Sequence, residues 1–405
     1  MKSQLKACVA ALSLITATTF AADLRLDGFP DYNTQIDAIK DSYTQQTGNS
    51  VTMLKNNHGD HHNKIKTNLA TGTGAGDVVL LDIDFVGSFV NSGGFVDLTK
   101  YYKDIAGNYA GYAVEAGKGA DGKQYAVPVD LGPGVVYYRR DYMEDMGFDI
   151  NKVMTNWNTY LKYGRELKKK DILLIGNASA VANAYFRFNV KDGEGWYFDA
   201  DGKPLVTSER FVHAFKLAKT IRDEGLDGNI SEWTEDWYAG FREGKFATQL
   251  SGAWLLGHLN NWIAPETAGK WGVSGLPGGI YGRWGGSYLA IPKQAKDADA
   301  SWTLINHMIS ENSQLEGFKN IAAFPAHTGT YDDPAFAEPI PFLNGQKARL
   351  LFADIAEHIT PVTPMKGDLI AEDLIQQALD KVLNDGVDIT TALKDVERQL
   401  KRRVR

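Results

Sequence analysis

The sequence predicts an α/β protein built from two lobes, and its length and alternating elements carry that prediction. At 405 residues the chain is long enough to form more than one hydrophobic core. Apolar strands at 24–28, 51–54 and 78–81 alternate with helical segments at 34–47 and 62–71. Alternation of this kind indicates a mainly parallel sheet covered by helices.

Three breaks rich in glycine or proline predict that the chain crosses between the lobes. They lie at 131–134 (Leu-Gly-Pro-Gly), 275–279 (Gly-Leu-Pro-Gly-Gly) and 324–326 (Phe-Pro-Ala). Helices at 157–170, 208–224 and 236–243 follow the first break. We therefore expect lobes that are discontinuous in sequence, with residues 23–129 and 278–323 in the N-terminal lobe and residues 130–277 and 324–405 in the C-terminal lobe.

The first 22 residues have the pattern of an export signal. Lys2 and Lys6 form a charged start, residues 7–18 are apolar and small, and a cleavage site lies near Ala21 or Ala22. Cys8 is the only cysteine and lies inside this segment, so the mature chain carries neither a thiol nor a disulfide. No later apolar run reaches the roughly 18 residues of a membrane helix. We expect an exported, soluble, periplasmic protein.

The charge balance argues against a nucleic-acid partner. Lys and Arg number 43 against 50 Asp and Glu, and the formal charge of −7 becomes −9 once Lys2 and Lys6 are removed with the signal. Phosphate binding needs a basic surface, which this composition does not favour. The chain contains nine Trp and 18 Tyr residues, so the main functional question is where these aromatic rings lie.

One strand ends in two acidic residues that are candidates for ligand contact. The apolar run 78–81 leads directly into Asp82 and Asp84. In an open α/β sheet, ligands bind in the crevice at the carboxyl ends of the strands. Asp84 has an alternative interpretation as the N-cap of a helix over 85–91.

Further short motifs follow in order along the mature chain. They are 76–79 (Gly-Asp-Val-Val), 93–98 (Gly-Gly-Phe-Val-Asp-Leu), 125–128 (Tyr-Ala-Val-Pro), 137–139 (Tyr-Tyr-Arg), 241–245 (Phe-Arg-Glu-Gly-Lys), 251–254 (Ser-Gly-Ala-Trp) and 285–292 (Gly-Gly-Ser-Tyr-Leu-Ala-Ile-Pro). In this order they resemble the extracellular solute-binding proteins of ABC transporters, family 1, which include the maltodextrin-binding proteins. The resemblance implies a periplasmic-binding-protein-like fold with a multi-segment hinge. It also implies a monomer that needs no cofactor, holds a sugar between closing lobes and delivers it to membrane permease subunits.

A sugar site needs aromatic rings against the sugar's C–H faces and polar groups for its hydroxyls. By the resemblance, Asp84 is a ligand-binding carboxylate and Trp254 stacks on the sugar, while Asp82 lies two residues before Asp84 on the same strand face. Trp233 begins a helix, and Trp284 and Gly286 lie where glycines allow close backbone approach to a ligand. The remaining candidates are Asp130 on the predicted hinge, and Tyr32, Asn57, His58 and His327 in loops that the family uses for contacts. Trp196 lies in a predicted hairpin, where a packing role and contact with the ligand are equally expected.

Two competing interpretations remain. The segment 58–62 (His-Gly-Asp-His-His) suggests a metal site, but adjacent His61 and His62 point apart on a helix and no distant His or Cys pair completes a ligand set, so a structural loop is favoured. A secreted carbohydrate-active enzyme would use Asp82, Asp84 or Asp130 as acid and nucleophile. Two carboxylates on one strand are better placed to bind sugar hydroxyls than to act as an acid and a nucleophile that flank a glycosidic bond.

Overall fold

A computed structural model describes residues 21–29, 32–191, 193–362, 364–365 and 367–404. The predicted export signal, with Cys8, lies outside the described residues except for Ala21 and Ala22. The strands are β1 (Asp23–Gly28), β2 (Ser50–Lys55), β3 (Val78–Asp82), β4 (Ala126–Arg139), β5 (Leu173–Ile175), β6 (Phe246–Gly252), β7 (Trp271–Ser274), β8 (Arg283–Ala290) and β9 (Phe324–Pro325).

The α-helices cover the sheet and make up most of the remaining structure. They are α1 (Tyr32–Thr47), α2 (His58–Thr71), α3 (Ile83–Val90), α4 (Thr99–Tyr102), α5 (Gly111–Ala116), α6 (Arg140–Asp145), α7 (Ile150–Val153), α8 (Trp157–Lys168), α9 (Ser179–Phe188), α10 (Glu209–Asp223), α11 (Glu235–Glu243), α12 (Leu255–His258), α13 (Ala298–Met308), α14 (Glu311–Ile321), α15 (Ala348–His358), α16 (Asp368–Asn384) and α17 (Ile389–Arg403). A π-helical turn, Leu259–Ile263, continues α12. The predicted helices at 34–47, 157–170, 208–224 and 236–243 are confirmed to within two residues at each end.

One long strand, β4, joins two parts of the sheet, whose strand order is β2-β1-β3-β8-β4-β6-β5. Strands β1, β2 and β3 are parallel, and β8 runs antiparallel to both β3 and β4. The first part of β4 pairs with β8 up to Pro133, and from Gly134 onward β4 pairs with β6 and then β7. The sequence predicts two strands separated by 131–134, whereas the structure has one strand that changes partners there.

Glycine is required at this change of partners because the two backbones approach closely. A Cβ added at Gly132 would lie 2.0 Å from the carbonyl oxygen of Trp284, and one added at Gly134 would lie 2.9 Å from that of Gly282. Strand β9 pairs with β4 at Asp130 and Leu131, so the segment 324–325 reaches the same point. The three predicted breaks therefore lie on or beside the strand that links the two parts of the sheet.

Two hydrophobic cores lie on either side of this strand. The first surrounds β1, β3, β8 and the beginning of β4, with Leu26, Leu80, Val127 and Leu289 fully buried. It also includes Trp237, Trp271 and the apolar side chains of α15. The second core packs the end of β4 and β6 against α8, α9, α10, α16 and α17. The lobe boundaries at 129/130, 277/278 and 323/324 stay a prediction.

Within the described part of the chain, every helix is too short or too polar to cross a bilayer.

Candidate functional site

The carboxyl end of β3 places Asp82 and Asp84 in different roles. The Oδ1 atom of Asp82 accepts a hydrogen bond from the backbone N–H of Asp84 at 2.8 Å, so Asp82 is the N-cap of α3. The alternative in which Asp84 caps this helix is therefore wrong. The Asp84 side chain is left to bind other groups.

Asp84 is held by two arginines. Arg283 Nη1, at the start of β8, donates to Asp84 Oδ1 at 2.8 Å, and Arg187 Nη1, at the end of α9, lies 3.6 Å from Oδ2. Burial alone would raise the pKa of Asp84, but the charges of Arg283 and Arg187 outweigh it and lower the pKa to about 2. Asp84 is therefore a fixed anion at neutral pH.

The same arginines extend a charged cluster toward α16. Arg187 also forms a salt bridge with Glu372, and the Arg283 guanidinium lies 4.0 Å from the centre of the Trp196 ring. Asp368 is buried, its Oδ1 atom has no hydrogen-bond partner among the residues that the structure describes, and burial raises its pKa to about 7. We call the pocket that these groups surround the charged recess; its lining residues are Asp84, Arg187, Phe188, Trp196, Tyr197, Arg283, Asp368 and Glu372.

A second group of candidates forms an aromatic shelf, which comprises the rings of Trp233 and Trp254; the Trp284 ring instead packs edge-on against Phe188, with ring centroids 6.0 Å apart. The rings of Trp254 and Trp233 stack with centroids 5.7 Å apart and an interplanar angle of 22°. Trp254 Nε1 donates to the carbonyl oxygen of Trp284 at 2.8 Å. Gly252 makes this arrangement possible, because a Cβ there would lie 2.2 Å from Trp254 Nε1.

Trp233 combines an exposed ring with an unusual backbone conformation. Its side chain is 45% exposed and its φ is +64°, in the left-handed region. For a bulky residue this conformation costs of the order of 1–3 kcal/mol and is found mostly at functional sites. The strain therefore supports a ligand-binding role for Trp233.

The residue before Trp233 is a carboxylate that sequence reasoning missed. Gln249 Nε2 donates to Glu232 Oε1 at 2.8 Å, and Trp237 Nε1 donates to Gln249 Oε1 at 3.2 Å. Burial raises the pKa of Glu232 to about 7 despite the hydrogen bond from Gln249. A hydrogen-bonding carboxyl group thus lies beside the aromatic shelf.

Asp130 and its partners form a third group, on the first half of β4. The hydroxyl of the buried Tyr32 donates to Asp130, and the backbone N–H of Ser287 donates to Asp130 Oδ1 at 2.7 Å. Burial raises the pKa of Asp130 to about 6. Gly286 has a φ of +126°, which favours glycine, and a Cβ there would lie 3.2 Å from the carbonyl oxygen of Asp130.

The start of β8 connects the three groups. Within five residues, the Arg283 side chain binds Asp84, the Trp284 carbonyl accepts from Trp254, and the Ser287 N–H binds Asp130. Ser287 also pairs with Asp82 in the β3–β8 ladder. This one segment therefore brings together the charged recess, the aromatic shelf and the Asp130 group.

The histidines near residue 60 pack beneath the end of β3. His58, His61 and His62 surround Phe29, and His62 stacks on Phe85 with ring centroids 4.0 Å apart. His61 Nε2 lies 2.7 Å from the Leu80 carbonyl oxygen, and His62 Nε2 accepts from the Asp82 N–H at 3.0 Å. The loop expected over 58–62 is instead the first turn of α2. Among the described residues, no three His, Cys, Asp or Glu side chains are grouped to hold a metal ion.

His58 and Asp82 form an ion pair on the exposed side of this packing. His58 Nε2 lies 3.3 Å from Asp82 Oδ2. Burial opposes the charged imidazole, but the hydrogen bond with Asp82 and the charges of Asp82 and Asp84 outweigh it and raise the pKa of His58. Burial lowers the pKa of the neighbouring His62 to about 3. His58 thus supports the anionic strand end.

The last two predicted candidates lie at the ends of helical elements. Asn57 is exposed and precedes α2, without a capping hydrogen bond from its side chain. His327 packs edge-on against Tyr109, and its backbone N–H donates to Gln314 at 2.7 Å. These contacts place His327 with α14 rather than with the three groups joined by β8.

The comparisons with known proteins show the family. A model of bacterial extracellular solute-binding proteins matches residues 38–342, and the chain belongs to this family. The resemblance inferred from the motifs is confirmed. Because the family is one of binding proteins, the comparisons give no support to the enzyme alternative.

Relatives and solved structures agree with this assignment. The chain is 26% identical over 379 residues to a lactose-binding protein of Rhizobium radiobacter, with 87% of each chain covered. A crystal structure of an extracellular solute-binding protein of family 1 superposes with a TM-score of 0.84 at 22% identity, covering 94% of this chain and 99% of that one. An ABC transporter-associated binding protein of Bifidobacterium animalis subsp. lactis Bl-04, solved with β-1,6-galactobiose, gives a TM-score of 0.78 at 21% identity, covering 94% and 97%. The predicted fold class is confirmed.

Proposed function

We propose that this protein captures a neutral oligosaccharide between two closing lobes and delivers it to the permease of an ABC importer. The observation that carries the proposal is the start of β8, where one segment binds the indole of Trp254, on which the exposed ring of Trp233 stacks, and the carboxylates Asp84 and Asp130. Rings that stack on C–H faces and carboxylates that accept from hydroxyls are the two requirements of a sugar site. Two relatives are named as a lactose-binding protein and an arabinooligosaccharide-binding protein, and these names support the same ligand class.

The pairing of the arginines supports a neutral rather than an acidic ligand. Arg187 and Arg283 face Asp84, Glu372 and Asp368, so the recess holds two cations and three carboxyl groups. A carboxylate on the sugar would have to displace one of these acids from its arginine. A neutral sugar can instead share Asp84 through its hydroxyls while the ion pairs stay intact.

The charged recess also gives closure a physical basis. Asp84 follows β3, whereas Arg187 and Glu372 lie on α9 and α16, which pack in the second core. If the lobes divide at the predicted boundaries, the Asp84–Arg187 contact spans the cleft. A ligand that contacts both sides only when they are closed shifts the population toward the closed form.

The cellular setting follows the family and the sequence. We propose that residues 1–22 are removed on export, that the mature chain is a periplasmic monomer, and that its outer surface docks on membrane permease subunits. A signal-peptide cleavage assay followed by mass spectrometry of the secreted chain tests the first step. A mature N-terminus at Ala22 or Asp23 is expected, and an intact Met1 would contradict it.

A thermal-shift screen of the purified protein tests the ligand class. The panel contains lactose, β-1,6-galactobiose, an arabino-oligosaccharide series and a galacturonate oligosaccharide as the acidic control. A ligand at 100 times its Kd stabilises the folded protein by about 2.7 kcal/mol. We expect a shift with a neutral sugar, none with the acidic control, and intact sugar after long incubation. Release of shorter sugars, or stabilisation by the acidic oligosaccharide alone, would contradict the proposal.

A further inference from the structure

A row of aromatic side chains continues from the aromatic shelf onto the surface. Trp254, His258 and Trp262 follow one another at intervals of four residues along α12 and the π-helical turn. Neighbouring rings in this series have centroids 5.7 Å apart, and Trp262 Nε1 donates to His258 Nδ1 at 3.0 Å. At about 1.5 Å per residue, the series extends roughly 12 Å along the helix.

Two more rings widen this series on one side. Trp233 stacks on Trp254 and contacts His258 edge-on at 5.5 Å, and Tyr238 contacts Trp262 edge-on at 5.2 Å. We call these five side chains the aromatic row: Trp233, Tyr238, Trp254, His258 and Trp262. The rings hold one another in fixed orientations, so a ligand meets a preorganised surface.

The exposure of the row is unusual for this protein. Trp233 is 45% exposed and Trp262 is 51% exposed. Four large apolar side chains are exposed among the described residues, and these two belong to the same row, whereas Tyr281 and Leu350 do not. A clustered exposed apolar surface marks an interaction site, whereas single exposed residues need no explanation.

The backbone is also irregular at both exposed rings. Trp233 has a left-handed φ, and Trp262 lies in the π-helical turn, with Leu259 and Ile263 of the same turn buried beneath it. π-helical turns are rare and often occur at functional sites.

Polar groups border the row in the manner that a carbohydrate requires. The exposed amides of Asn260 and Asn261 adjoin Trp262, and Asn260 Nδ2 donates to Asn261 Oδ1 at 2.8 Å. Glu232 and the exposed Glu235 lie next to Trp233 in the sequence, and Glu232 accepts a hydrogen bond from Gln249. Exposed indole faces with hydrogen-bonding side chains nearby suit a neutral sugar, whereas an apolar protein partner would remove the exposed amides of Asn260 and Asn261 from water.

We propose that the aromatic row is a second carbohydrate subsite, which binds the units of an oligosaccharide that extend beyond the shelf. This inference rests on the proposed function, since the row continues the shelf at Trp254. In this subsite, Trp262 contacts only the longer oligosaccharides. The row therefore makes affinity depend on the length of the sugar.

Calorimetric titration with two oligosaccharide series tests the subsite. The probes are β-1,6-galacto-oligosaccharides and arabino-oligosaccharides of two to five units, each titrated into wild type, Trp262→Ala and Trp262→Phe. For the series that binds, we expect Trp262→Ala to weaken binding of the four- and five-unit sugars about 3- to 10-fold and to leave the two-unit sugar unchanged. Trp262→Phe should retain most of the affinity because it keeps an aromatic face. Leu350→Ala, which truncates an exposed apolar side chain outside the row, is the matched control.

The outcomes separate this inference from the proposed function. If wild type binds sugar and Trp262→Ala changes no affinity at any length, the second subsite is wrong while the proposed function stands. If Trp262→Ala binds every sugar normally but slows uptake by a permease reconstituted in vesicles, the row is a permease contact and the inference is overturned. If wild type binds neither series, both proposals fail for these ligands.

Discussion

The charged recess and the aromatic shelf contact adjacent residues of β8, Arg283 and Trp284, and are built in opposite ways. In the recess, Arg283 is 8% exposed and is fixed by Asp84 and Trp196. On the shelf, Trp233 is 45% exposed and lies on a strained backbone. The recess pairs the charges of Asp84, Arg187, Arg283 and Glu372 with one another, whereas the shelf leaves apolar surface available. Under the proposed function, we expect the shelf to provide ligand affinity and the recess to provide position and closure.

Breaking the recess should have the largest effect, and the effect should be on stability. Arg283→Met removes one partner of Asp84 and leaves a largely buried carboxylate with Arg187 alone. We expect the free energy of unfolding to fall by about 3 kcal/mol, measured by urea denaturation. Arg165→Met is the matched control, because the Arg165–Glu224 pair is exposed and its loss should cost less than about 1 kcal/mol. Equal losses in the two variants would remove the distinction between the recess and an ordinary surface pair.

Breaking the shelf should affect binding rather than folding. Trp254→Ala removes the ring on which Trp233 stacks, and we expect affinity for the bound sugar to fall about 30-fold, or about 2 kcal/mol. Tryptophan fluorescence titration measures the affinity, and circular dichroism checks the fold. Trp302→Ala, which removes a ring stacked on Tyr101, serves as the control and should bind normally. Unchanged affinity in Trp254→Ala would exclude this residue from the site.

A smaller effect on stability should distinguish the helix-capping role of Asp82 from the role of Asp84. Asp82→Ala removes the N-cap of α3 and should lower the free energy of unfolding by about 1 kcal/mol, whereas Asp82→Asn should retain most of the stability because Asn caps equally well. The pKa of His58, followed by NMR, should fall in both variants because its carboxylate partner is gone. An unchanged pKa of His58 would show that the ion pair does not form in solution.

A pH-dependent effect concerns the carboxyl group beside the shelf. The pKa of Glu232 is raised from 4.5 to about 7, so the folded protein binds this proton more tightly than the unfolded chain does. Its contribution to the free energy of unfolding is therefore present below about pH 4.5 and is lost as the pH rises through 7. In Glu232→Gln, the fall in stability between about pH 5 and pH 8 should be shallower than in wild type. An identical slope in thermal unfolding would assign the pH dependence to Asp130 and Asp368, whose pKa values are also raised.

Local patterns predicted many of the elements and several of the residues that lie together in the structure. The apolar run of β3 is fully buried up to Leu81, as its composition predicts for a strand with both faces covered. Trp233 and Trp254 come together in the structure, with the backbone carbonyl of Trp284 bonded to Trp254, and so do Asp130, Tyr32 and Gly286. These residues lie at strand ends, glycine pairs and helix starts, which can be recognised from the sequence.

The partners of these residues could not be predicted, because they depend on distant contacts. Arg187 lies on α9, a helix that was not anticipated, and it reaches Asp84 and Glu372 across 103 and 185 residues of sequence. The role of Glu232 depends on its burial beside Gln249 in the folded chain. A left-handed φ at a tryptophan has no sequence signal, since the residue that normally indicates this conformation is glycine.

A crystal structure of the protein with the best-stabilising oligosaccharide of the panel tests the central claim most directly. We expect one sugar unit to lie flat on the Trp233–Trp254 shelf, with hydroxyls that donate to Asp84 or Glu232 and with the Asp84–Arg283 pair retained. A sugar bound at another surface, with the shelf unoccupied and the pairs of the recess unchanged, would contradict the account.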